Sequence, residues 1–115
     1  MALHYNLAKV YEISSNDADF AQQIVELFLQ EVPPEIENIK KGIKAKDYKK
    51  TYAAAHKIKP TLDLLGMDLA FDEVNQIMNW TKVEGKKKEI LEVYKLLKEQ
   101  VKLSSKEIKK NHNIE

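Results

Sequence analysis

His56 is the residue whose type and surroundings best suit covalent chemistry. It sits in Thr51-Tyr52-Ala53-Ala54-Ala55-His56-Lys57-Ile58-Lys59-Pro60-Thr61, followed by Leu62, Leu65 and Gly66. Thr51, Ala54, Ala55, Ile58, Leu62 and Leu65 share one arc of a helix, and His56 projects about 140° from the centre of that arc. The imidazole is therefore expected to face solvent. Residues three, four or seven apart are neighbours on a helix surface, which brings Lys49, Tyr52, Lys59, Pro60 and Asp63 to the same exposed arc. Neutral imidazole is a nucleophile near physiological pH. A phosphoryl group on its outer nitrogen would meet the Lys59 ammonium one turn ahead, as a charge-assisted donor to the phosphate oxygens.

Other chemistries have little to stand on. No Gly-rich phosphate loop and no carboxylate cluster accompanies His56, so neither ATP nor magnesium has a site here. A lone phosphorylatable His of this kind must take the group from another protein and hand it on. The chain has no Cys, which excludes thiolate nucleophiles and cysteine-ligated zinc. No His pair has i, i+4 spacing, so no metal site is expected. His4 and His112 are expected to be solvated near the termini.

The chain has 115 residues, with 43% hydrophobic and 32% charged residues and a formal net charge of +1. That length is enough for one domain with an independent core, spanning residues 1–115 with a frayed end over 111–115. Charge is unevenly placed along it. Residues 1–39 carry −6, 40–59 carry +7, 60–81 carry −4 and 82–115 carry +4. Lys40, Lys41, Lys44, Lys46, Lys49 and Lys50 make a basic belt, which reads either as a solvated helix end or as a surface that steers an acidic partner. All nineteen basic residues are Lys, so planar two-pronged recognition of phosphate or guanine is absent. With near-neutral charge, no nucleic-acid partner is expected. No secretory signal and no membrane-spanning stretch is visible, which gives the expectation of a cytoplasmic protein with no membrane association.

Apolar residues recur at helical spacing almost throughout, so the fold class is all-α. A short first helix would carry Leu3, Leu7, Val10 and Tyr11. The second begins after the Ser14–Asp17 capping cluster and shows Phe20, Ile24, Leu27 and Phe28. It continues through Ile36, Ile39 and Ile43 to about Lys44, with a kink at Pro33-Pro34. The third runs from Tyr48 to about Leu65 behind an Asp47 cap. The fourth covers about 68–82, with Ala70, Phe71, Val74, Ile77, Met78 and Thr81 on one face. The fifth covers about 86–110, with Ile90, Tyr94, Leu97, Val101 and Ile108. Short connections make neighbours antiparallel, predicting an up-down four-helix bundle with a short extra N-terminal helix.

The run Ala55-His56-Lys57-Ile58-Lys59-Pro60-Thr61, continuing to Leu65-Gly66, resembles the signature of histidine-containing phosphotransfer (HPt) domains, Ala-His-x-Leu-Lys-Gly-Ser followed by Leu-Gly. The likeness extends to the order of helices along most of the chain. It implies that His56 is the phosphoacceptor of a two-component phosphorelay, with Lys59 holding the phosphoryl oxygens. It further implies a phosphocarrier without autokinase activity, whose partners are receiver domains of response regulators and hybrid histidine kinases. Those domains would bring their own acidic pocket and magnesium ion, leaving this chain without a cofactor, and the likeness implies a monomer. Lys49, Tyr52, Pro60 and Asp63 would fall in the partner interface. Where the family usually has Gly, this chain has Pro60. Its ring presses on the His56 carbonyl and offers it no donor, so a kink or loosened turn is expected there. The competing reading is a non-catalytic helical adaptor that binds protein partners through the basic face around His56.

Overall fold

The structure, a computed structural model, describes residues 4–114 and contains five helices and no strand among them. They are α1 (Ala8–Ile13), α2 (Ala18–Ala45), α3 (Tyr48–Leu64), α4 (Asp68–Lys82) and α5 (Lys87–Asn111). Connections of two, three and four residues join α2 to α3, α3 to α4 and α4 to α5, so each helix reverses on its predecessor. α2 also packs against α5, closing the four long helices into an up-down antiparallel bundle, with α1 beside α2. At 1.5 Å per residue the 28 residues of α2 span about 42 Å. The longest dimension of the molecule is 43 Å, so α2 runs its full length.

Local chemistry sets the helix ends. The Asp17 carboxylate accepts from the amides of Asp19 and Phe20, and that of Asp47 accepts from the Lys50 amide at 3.0 Å. Glu89 accepts from the Lys86 amide at 2.6 Å, so an acid three residues into α5 offsets the unfavourable Lys86-Lys87-Lys88 start. Gly66 closes α3 at φ +63°, a left-handed conformation that glycine adopts without steric penalty. The turn between α4 and α5 is fixed from the side. Trp80 Nε1 donates to the Lys86 carbonyl at 2.9 Å, Tyr48 donates to the Gly85 carbonyl at 2.9 Å, and the two rings pack 5.0 Å apart. Trp80 thus has a packing role, although it lies off the main apolar stripe of α4.

One core joins all five helices, with Phe28, Ile39, Ile58, Leu62, Ile77, Leu97 and Ile108 fully buried. In α2 the buried row is Ala21, Val25, Phe28, Val32, Ile36, Ile39 and Ile43. Phe20 and Ile24 are half-buried and Leu27 is exposed. The expected stripe was therefore rotated from the true one, because small Ala21 and Val25 allow the close approach that Phe20 and Leu27 would block. α2 runs unbroken through Pro33 and Pro34, held across the missing amides by the burial of Val32, Ile36 and Ile39.

The first helix begins later than expected: Leu7 is its cap, residues 4–7 are non-helical and Leu3 lies outside the described residues. This segment is laced to the bundle. The Asn6 amide donates to the Leu65 carbonyl at 2.7 Å and Ser104 donates to the His4 carbonyl at 3.0 Å. His4 is not freely solvated, since its amide and ring both contact the Glu107 carboxylate. His112 meets Gln22 at 3.1 Å, and Asn111 donates to the Tyr5 hydroxyl at 3.1 Å. No described helix is long and apolar enough to cross a membrane.

Candidate functional site

The third helix places His56 where its spacing put it. Thr51, Ala54, Ala55, Ile58 and Leu62 are buried and His56 is exposed. The ring is not isolated. It stacks on Tyr52 one turn back, with centroids 5.7 Å apart and planes 15° from parallel, and Tyr52 in turn packs against the core. Tyr52 therefore belongs both to the edge of the core and to the surroundings of the imidazole. The contact limits how the imidazole tilts while leaving its other face open to solvent.

The cations divide into those close to this stack and those held elsewhere. Lys82, from the end of α4, sets its ammonium 5.9 Å from the Tyr52 ring centroid. Lys59 is half-buried, with its ammonium 5.3 Å from the centroid of Phe71 on α4. Lys57 turns the other way, to Glu35 of α2 at 2.9 Å. Hydrogen bonds from Asn38 and then Lys57 hold the Glu35 carboxyl below its ordinary value, and the same contact raises Lys57. Asp63 pairs with Lys9 of α1 at 3.0 Å, which ties the short helix to the far end of α3. Lys49 and Pro60 are exposed.

The helix runs unbroken through Pro60. The His56 carbonyl lacks the amide donor that any other residue at 60 would supply. Burial of Ile58, Leu62 and Leu65 on the opposite side holds the turn.

Lys82 and Phe71 were missed because their helix is a separate stretch of sequence. A signal did exist: α3 and α4 reverse at Gly66, so residues roughly equal numbers of steps before and after the turn lie side by side. That rule pairs Tyr52 with the end of α4 and Lys59 with its start. Among the described residues no three side chains able to ligate a metal come together.

A second buried group was invisible to periodicity. Glu73 occupies a core position of α4 with one carboxylate oxygen unpartnered. Burial, and then the charge of Asp72, push it up to about 7.

Comparison of the chain with known protein families, with characterised proteins and with solved structures finds no match.

Proposed function

We propose that the protein is a phosphorelay intermediate, carrying a phosphoryl group on His56 between receiver domains. The observation that carries the reading is the exposed imidazole of α3, stacked on Tyr52 at 5.7 Å, with the Lys82 ammonium 5.9 Å from that tyrosine ring and Lys59 one turn further along the helix, its ammonium over Phe71. In the forward step the unprotonated ring nitrogen forms a bond to phosphorus while the bond from phosphorus to the donor's aspartyl oxygen breaks. The aspartate leaves as a carboxylate with the electron pair. The second step is the reverse, onto another receiver's aspartate.

This chain contributes position and charge. Stacking on Tyr52 restricts the rotation of the nucleophile, which lowers the entropic cost of in-line attack. Lys59 lies three residues from His56, and its flexible stem allows the ammonium to leave Phe71 and meet a phosphoryl oxygen. Phe71 gives the ammonium a resting place worth only about 0.5–1 kcal/mol, less than a charge-assisted hydrogen bond to phosphate at roughly 1.5–3 kcal/mol. The basic belt around Lys49 and Lys50 complements an acidic receiver pocket and favours fast encounter.

The test is incubation with a phosphorylated receiver domain. Label should move to this chain and be acid-labile and base-stable, as expected of a phosphohistidine, and His56→Gln should remove it while helical circular dichroism is kept. Label retained by that variant, or absent from the parent with receivers of its own organism, would overturn the proposal.

A further inference from the structure

The edge of the bundle opposite His56, between α2 and α5, is the only edge of the ring with no short connection across it. It is a groove with an apolar floor and a cationic rim. Ile36, Ile43, Tyr94 and Val101 line it, with Pro33 near one end and Leu91, 41% exposed, near the other. Two concave segments make it up, end to end along α5, with Lys98 lining both where they meet. From Leu91 to Lys109 it follows α5 for about 27 Å at 1.5 Å per residue.

Charge is sorted around α5 with respect to this groove. Each of the five lysines between positions 95 and 109 lines it, whereas Glu99 and Glu107 in the same stretch do not. Lys40 and Lys44 face them from α2, and Glu37 is the one acid among the lining residues. None of these lysines forms an ion pair among the described residues. Over the half lined by Lys40 and Lys44 like charges on both rims repel across the gap, and along the rest the α5 row alone supplies the cations, a field that an anionic occupant would relieve. At the floor, Tyr94 is buried with its hydroxyl unpartnered. Burial and then Glu37 push its phenol up, so it stays neutral.

We infer that this groove binds an acidic amphipathic helix of a partner protein, its apolar stripe on the floor and its carboxylates against the two lysine rims. A nucleic acid would use the lysines and leave the apolar floor idle, and a bilayer is too flat to fill a concavity. A helix of about 18 residues, with apolar positions at i, i+3, i+4 and i+7, matches the length, floor and rims together. The inference is independent of His56, which lies on the opposite edge.

The test uses the full chain and a fluorescent 18-residue peptide with Leu at those positions and Glu on both flanks, against a scrambled peptide of the same composition. The patterned peptide should bind saturably, about tenfold or more tighter than the scrambled one, and weaken with salt. Amide shift changes should fall on residues 33–44 and 91–109. The double reversal Lys98→Glu with Lys102→Glu should weaken binding about tenfold or more, with circular dichroism unchanged. Equal binding of the scrambled peptide, shifts confined to the α3/α4 edge, or lysine-dependent binding of phosphatidylserine vesicles or duplex DNA without the peptide would each overturn the inference.

Discussion

The two opposite edges of the bundle use lysine differently. At the α3/α4 edge the cations rest on aromatic rings, Lys59 on Phe71 and Lys82 on Tyr52, and the edge presents one imidazole. At the α2/α5 edge the lysines form two facing rows around an apolar floor. A resting cation released by an arriving phosphoryl group suits a transient covalent load. Facing rows of like charge suit an extended acidic partner. The contrast lies in arrangement, since both edges are rich in lysine. What matters is which side chains face one another across a helix pair.

The comparison can be broken first by exchanging its effects. His56→Gln is expected to abolish phosphoryl transfer and leave peptide binding in the groove unchanged. Lys98→Glu with Lys102→Glu is expected to cost about tenfold or more in peptide affinity and leave transfer unchanged, which paired label-transfer and anisotropy assays check. Loss of both activities in either variant would show that the edges are one site. Removing the resting cation sharpens the contrast. Lys59→Ala should slow transfer or shorten phosphohistidine lifetime by about tenfold, the worth of one charge-assisted contact, with an unchanged melting profile to within about 1 kcal/mol.

Two carboxylates away from both surfaces set the pH response of the frame. Glu73 has a folded value of about 7 against an ordinary 4.5, so between those values the folded state holds more protons than the unfolded one. Stability must therefore fall as pH rises through that window. Glu73→Leu is expected to add about 1–3 kcal/mol at pH 8, the cost of an unpartnered buried group, and Glu73→Gln to flatten the slope in urea titrations at pH 5 and pH 8. Glu35 acts with the opposite sign. Its folded value is lowered by Asn38 and Lys57, so its contribution is present above 4.5 and lost as pH falls through the lowered value. Glu35→Gln should cost only about 0.2–1 kcal/mol at pH 7, since Lys57 is exposed and the pair is solvent-screened. The parent and this variant should converge in acid.

Much of the fold was legible because helices are local. The capping carboxylates of Asp17 and Asp47, the stop at Gly66 and the 3.6-residue spacing of Ile90, Tyr94, Leu97 and Val101 are all short-range signals. They fixed both ends of α3 and the outward direction of His56. The continuation of α2 past Pro33-Pro34 was legible from the apolar stripe that resumes at Ile36, and α3 likewise continues past Pro60, where buried flanking side chains offset the lost hydrogen bond. The α2 stripe was read one row off because apolar size alone does not say which row meets a neighbouring helix.

By itself the sequence determined five helical segments, their caps and an imidazole on the outer face of the third. Each of these depends on residues within a few turns of one another. The tertiary structure alone decided that Lys82 and Phe71 flank the His56 helix, that Glu73 loses water, and that lysines sixty residues apart in the chain line one groove. Those relations depend on which helix faces which, and that is fixed only when the whole core packs.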